Sequence, residues 1–206
     1  MNAEQITYIV LSIFGGLLVL FLLFFPVVKR IFFFRHFNYF YGKKIYRIAL
    51  DYDFFLINDF ILRPDDDKTI HIDHILFGDK YIYCIKDRFY RGAIEGNEMD
   101  KSWFFYPKMF EKRYIDNPLL KNKERVKRFS YATNIDPKLL ISIVVVNDDC
   151  LLFPFDVKEK DSFLVPLSKL NRLIKNIEKR DVSKIDAKQL QYVVNDLARM
   201  KKRNLS

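Results

Sequence analysis

Residues 5–28 contain no charged side chain. A helix of those 24 residues is about 36 Å long, more than the roughly 30 Å of a bilayer's hydrocarbon core. Lipid offers the backbone no hydrogen-bond partners, so a segment that crosses it must be helical. A cleaved signal peptide would want a positive start, a short apolar stretch and a small-residue cleavage site. Here the one charged side chain ahead of the segment is Glu4, and no Ala-x-Ala pattern follows. The reading is a permanent anchor over residues 1–30. Lys29, Arg30 and Arg35 come directly after it and no Lys or Arg comes before it. Positive charge stays on the cytoplasmic side, so a single pass with its N-terminus outside a cell membrane and its remaining chain in the cytoplasm is expected. Residues 31–41, with Phe32, Phe33, Phe34, Phe37 and Phe40, read as a juxtamembrane helix lying against the domain or the headgroups.

Beyond the anchor the chain has the means to build a core. Aromatic residues make up 17% of the sequence, which excludes disorder as its main state. Two cysteines, Cys84 and Cys150, make no disulfide framework and suit a reducing compartment. After Val28 the chain holds 35 basic and 25 acidic side chains, a net +10. An anionic membrane surface or a nucleic acid would welcome that charge, and a Lys-rich solvated surface would also account for it.

Periodicity predicts a helix over 43–50, strands over 54–61, 69–77, 80–86, 92–96 and 102–106, and a helix opened by Asn117-Pro118 that runs to about Tyr131. Asn58-Asp59 interrupts the first strand, Pro64-Asp-Asp-Asp67 reads as a turn, and 69–86 as a hairpin. A buried strand over 141–147, weaker strands over 151–155 and 162–165, and two amphipathic helices complete the pattern. One helix is marked by Leu167, Leu170, Leu173, Ile174 and Ile177. The other is marked by Ile185, Leu190, Val193, Val194 and Leu197. The expected class is α/β (α+β), with a central mixed sheet flanked by helices. The expected domains are 42–155 and a C-terminal helical extension, 156–206, packed on it.

Chemistry concentrates around Asp73. Alternation puts His71, Asp73 and Ile75 on one face of their strand and His74 on the other; on the return strand Ile82, Cys84 and Lys86 share a face, and Asp87 points the opposite way. A carboxylate on one strand and an x-Lys on the next is the layout of metal-dependent nucleases, where acids hold Mg²⁺ and a lysine serves the attacking water or the phosphate charge. The two histidines are split across faces and the cysteines lack a zinc spacing. Cys84 as a nucleophile would need an activating base and a lowered pKa.

In order, Gly42 with its helix, 72–78 (Ile-Asp-His-Ile-Leu-Phe-Gly), Cys84-Ile-Lys86, Gly92-Ala-Ile-Glu-Gly96, Trp103 and Asn117-Pro-Leu-Leu-Lys-Asn122 resemble the nuclease-related domain (NERD) family, over about residues 40–155. The resemblance implies a core similar to that of the PD-(D/E)xK nucleases, hence a restriction-endonuclease-like fold. It also agrees with an anchor, since several members carry a membrane helix. Three positions depart from the family pattern. Lys43 stands where Glu is usual, Cys84 where the Glu of Glu-x-Lys is usual, and Lys121 where Gln is usual. Mg²⁺ wants hard oxygen ligands. At about 4 Å and an effective dielectric of ~20, each unit charge contributes roughly 4 kcal/mol, so replacing an acid by a base opposes the cation directly. Asp73 is then either the remaining metal ligand or half of an ion pair with Lys86. Glu95 is the candidate for a migrated carboxylate.

The catalytic candidates are therefore Asp73, Lys86 and Glu95, with Asp73 as metal ligand only in an active enzyme. Lys108, Lys112, Arg113, Lys121, Lys123, Arg125, Lys127 and Arg128, interleaved with Phe110, Tyr114 and Phe129, are candidates for phosphate contacts and base stacking. The functional expectation is a catalytically degenerate nuclease-fold module that binds DNA, RNA or a membrane-protein partner without a small-molecule cofactor. The alternatives are a Mg²⁺-dependent DNA nuclease with a rearranged site and a membrane scaffold that binds proteins only.

Overall fold

A computed structural model describes residues 3–63, 69–108, 110–153 and 160–203. The turn expected at Pro64-Asp67 and the end of the strand expected over 151–155 lie outside them. Contacts divide the chain into two compact units, Met1–Phe40 and Tyr41–Ser206.

The first unit is helical. Helix α1 runs Ala3–Arg35, and within it Ile13–Arg35 is long and apolar enough to cross a membrane by length and composition. A signal sequence near an N-terminus meets the same test. The helical path breaks at His36 before α2, Phe37–Tyr52, begins.

In the second unit α2 buries Tyr41, Ile45, Ile48 and Ala49, the spacing that the sequence shows. Strands β1 (Phe55–Leu62), β2 (Ile70–Phe77) and β3 (Ile82–Arg88) form an antiparallel meander. Next come β4 (Ala93–Glu95), β5 (Ser102–Lys108), β6 (Glu111–Asp116) and helix α3 (Pro118–Thr133). The chain then returns as β7 (Leu140–Val146), β8 (Leu151–Leu152), β9 (Ser162–Pro166), α4 (Leu170–Glu178) and α5 (Ala187–Arg203). The fold is mixed α+β as expected, but the strands divide between two sheets. One has the order β1-β2-β3-β7-β9, with β7 parallel to β3 and β9 parallel to β7; the other has the order β6-β5-β4-β8.

Each sheet has its own cluster of buried side chains. Phe60, Ile70, Ile75, Phe77, Ile82 and Cys84 of the first sheet pack with Val126 and Phe129 of α3 and Leu197 of α5. Ile57 and Phe60 join this cluster although only two residues lie between them, an odd spacing that regular alternation would put on opposite faces, and Asp59 between them is left-handed (φ 48°). That is the interruption that Asn58-Asp59 marked in the sequence. Ile94 and Trp103 of the second sheet pack with Leu119, Val144, Val146 and Cys150, which seats that sheet on the end of β7. Gly92 and Gly96 permit it. At Gly92 (φ 138°) a Cβ would lie 1.9 Å from the carbonyl oxygen of Tyr106, and at Gly96 it would lie 2.2 Å from Trp103 Cδ1.

Asn117 locks the start of α3. Its Oδ1 accepts from the N–H groups of Leu119 (2.9 Å) and Leu120 (3.2 Å), and its amide donates to the carbonyls of Glu98 (2.8 Å) and Asp100 (2.7 Å). It is fully buried, so no water replaces these bonds. Asn117→Ala is expected to cost about 2–3 kcal/mol, a lost cap plus stranded carbonyls, read as a lower urea midpoint at unchanged slope. A loss under about 0.5 kcal/mol would show that the cap is dispensable.

Candidate functional site

The β2–β3 hairpin carries two pairs of titratable side chains on opposite faces. On one face Lys86 Nζ donates to Asp73 Oδ1 at 2.5 Å, and the Asp87 backbone N–H donates to Asp73 Oδ2 at 2.8 Å. His71 Nε2 lies 3.6 Å from Asp73 Oδ1 and 3.7 Å from Asp59 Oδ1. The Lys86 and Asp73 side chains are only 11% and 15% exposed, so the pair is largely shielded from water. Arg125 reaches the same region from α3. Burial lowers its guanidinium below the ordinary value, the nearby Arg88 adds to that, and Asp73 opposes it.

On the other face His74 is buried between two acceptors. Its Nδ1 is 2.7 Å from Asn58 Oδ1 on β1 and its Nε2 is 2.9 Å from Asp87 Oδ2. With Asn58 accepting at Nδ1, the second contact is either imidazolium to carboxylate or carboxylic acid to imidazole. Gly42 of α2 faces this ring, and a Cβ there would meet His74 Cε1 at 3.6 Å. The buried Asp87 Oδ1 has no hydrogen-bond partner among the described residues. Burial raises the Asp87 carboxyl, against the pull of His74. Sequence reasoning placed His74 and Asp87 on the far face but did not pair them. His74 stands opposite Ile85, so Asp87, two residues further along β3, is its diagonal neighbour on the same face, a relation that only the register supplies.

The remaining candidates sit apart. Cys84 is completely buried in the first core, and burial pushes its thiol up, the reverse of what a nucleophile requires. Burial pushes the Cys150 thiol up to about 12. Asn122 ties α3 to the strands, its amide donating to Ser142 Oγ (2.9 Å) and to the Cys84 carbonyl (3.2 Å), while its Oδ1 accepts from Arg125 (2.8 Å). Lys43 is exposed on α2. Lys121 is exposed and paired with Asp116 at 2.7 Å. Glu95 lies on the second sheet, where its Oε2 accepts from the Tyr106 hydroxyl at 2.7 Å. Among the described residues no three His, Cys, Asp or Glu side chains converge as an ion's ligands would.

The residues therefore do not fit a Mg²⁺ ion. Both oxygens of Asp73 are engaged, and a lysine ammonium stands 2.5 Å away, where a cation would have to approach.

The basic run splits into two groups. Lys108, Lys112 and Arg113 belong to the β5–β6 hairpin, with Arg113 bonded to Glu111 and Lys112 Nζ lying 3.4 Å above the centre of the Phe104 ring. Lys121, Lys123, Arg125, Lys127 and Arg128 belong to α3, where Arg125 turns inward and Phe129 is core.

Asp87→Asn keeps the shape and removes the charge. A raised acid stabilises the fold fully below its ordinary value, near about pH 4, and loses that contribution as pH climbs through the raised value. The variant is expected to gain on the wild type in urea midpoint between about pH 4 and 8. A difference that does not change with pH would show that Asp87 keeps one protonation state throughout that window.

Comparison with known proteins adds to this geometry. No curated protein matches the chain. A crystal structure of a protein of unknown function, AF1548, aligns with 14% identity over 78% of each chain, at a TM-score of 0.33. The family model described as the nuclease-related domain matches residues 42–147, more than half of the 206. That span takes in most of α2, the Asp73–Lys86 hairpin, strands β4, β5 and β6 of the second sheet, α3 and β7, and the chain belongs to the nuclease-related domain family.

Proposed function

We propose that this chain is a catalytically degenerate nuclease-fold module. It is held at the cytoplasmic face of a cell membrane by its N-terminal helix and binds nucleic acid there. One observation carries the loss of catalysis: the carboxylate of Asp73 is spent on Lys86 and on the Asp87 backbone. A metal-dependent nuclease of the PD-(D/E)xK kind needs that carboxylate and a second acid to hold Mg²⁺. Here the usual second position is Cys84, sealed in the core. Support for nucleic acid is the +10 carried after Val28, with basic side chains on both the β5–β6 hairpin and α3. Support for the anchor is the apolar length of α1 and the positive charge that follows residue 28.

A second reading, a Mg²⁺-dependent nuclease, draws on the adjacency of Asp73 and Lys86. It requires the pair to open and Glu95 or another acid to approach. The two readings separate in one experiment on the full chain in detergent. Titration with Mg²⁺ or Mn²⁺ to millimolar concentration is expected to give no binding heat in the wild type or in Asp73→Ala. Labelled DNA should be bound, uncleaved, with an affinity that falls steeply as salt rises. Metal binding abolished by Asp73→Ala, together with cleavage, would establish the nuclease instead. The absence of any DNA binding at low salt would leave a scaffold for proteins.

Asp73→Ala also strands the Lys86 ammonium in a shielded site. It is expected to lose about 3 kcal/mol of stability, read from the urea midpoint, more than an exposed pair would cost. Lys86→Met, which removes the charge and keeps the aliphatic stem, should restore part of that loss in the double variant.

A further inference from the structure

The second sheet has one face against the core and one face against water, and the watered face is the unusual one. Cross-strand pairing aligns Glu95, Phe104 and Tyr114 in one row across β4, β5 and β6. Their neighbours Ile94, Trp103 and Ile115 face the core. The Phe104 and Tyr114 rings lie 4.9 Å apart, and Tyr106 and Phe153 lie 6.3 Å apart. Lys112 Nζ sits 3.4 Å over Phe104 and 5.8 Å from the Tyr106 ring centre, so all of these groups share one side of the sheet. Tyr106 is fixed there by its hydroxyl, which donates to Glu95. Tyr114 is 76% exposed, and Phe110, in the turn between β5 and β6, is 95% exposed.

Aromatic side chains this open to water lose the burial that normally justifies them, and such a patch marks an interaction surface. Two features select the occupant. The rings are set on one side of the sheet with lysines at the same edge: Lys108 at the end of β5 is exposed and Lys112 already makes a cation–π contact. Aromatic faces with interleaved cations match unpaired bases with their phosphates. Bases in a duplex are stacked on one another and present no free face to such a platform.

We propose that the solvent face of the β6-β5-β4-β8 sheet is a stacking platform for single-stranded nucleic acid. Tyr114 and Phe104 take base faces, and Lys112 and Lys108 take phosphates. Lys112 leaves the Phe104 ring when a phosphate replaces that ring as its partner, which frees the ring for a base. The platform is indifferent to base identity, because every base has a π face. This inference rests on the nucleic-acid reading above and names its strand class and its residues.

The test uses the full chain in detergent and a fluorescent strand of about twelve nucleotides, alone and annealed to its complement. Anisotropy should show the single strand bound at least tenfold more tightly than the duplex. Tyr114→Ala should weaken the single-strand complex about tenfold and leave duplex affinity nearly unchanged, whereas Tyr114→Trp should retain it. Lys112→Glu should weaken it and flatten its salt dependence. Tyr131→Ala removes an equally exposed tyrosine on α3, away from this face, and should change nothing. Equal affinity for both forms with Tyr114→Ala silent would overturn the platform and leave the broader binding reading standing. Failure of both forms to bind at low salt would remove the broader reading, and the platform with it.

Discussion

Two polar pairs, taken out of water on the two faces of one hairpin, set the register of this domain. Asp73–Lys86 and His74–Asp87 are built from consecutive residues on β2 and on β3, and the Asp87 backbone N–H closes onto Asp73 between them. A buried ion pair gains little over an apolar pair of the same size, but breaking one is costly. A one-residue slip of β2 on β3 would break both pairs at once and turn each charge to the wrong face. The neighbours are then fixed in turn. Asn58 places β1 through His74, β7 runs parallel beside β3, and Asn122 and Arg125 bring α3 over the Asp73 side.

The same bracket constrains chemistry. A carboxylate holds a hard cation only with lone pairs to spare and with negative charge in excess nearby. Asp73 offers neither, since a lysine and a backbone N–H use its oxygens and Arg125 and Arg88 add positive charge. Replacing the family's acid by Cys84 suits this arrangement. A small thiol fills the core next to Ile75 and Ser142, where a second carboxylate would have to be paid for in desolvation. Structure and substitution both support the proposed reading, in which this polar pairing serves as scaffolding.

Much of this was legible in the sequence because periodicity survives burial. The run 141–147 reads as a buried strand and every residue of β7 is buried; Asn117-Pro118 reads as a helix start and caps α3. Alternation marks Asp73 and Lys86 as candidates for one face, and the register Phe77↔Ile82 is what sets them side by side. Three things were not legible. Strand β6, Glu-Lys-Arg-Tyr-Ile-Asp, carries too little apolar signal to stand out from a basic run, and only its pairing with β5 makes it a strand. The division into two sheets depends on which strands pair at long range, which local pattern does not encode. Glu95 looked like a free acid in sequence, and only the register across β4 and β5 shows it committed to Tyr106.

That division also explains where a functional surface can lie. Parallel neighbours such as β3, β7 and β9 are normally covered on both faces, and here β7 is wholly buried, so the middle of the first sheet is closed to a partner. An antiparallel sheet can keep one wet face. In β5 and β6 the inward positions are Trp103, Phe105 and Ile115, and the outward ones are aromatic and basic. In the reading proposed above, a nuclease-like fold without a metal site keeps its core from the first sheet and recognises through the second. Recognition as proposed there requires no ion and no second carboxylate, only rings carried on one side of the strands and lysines within reach.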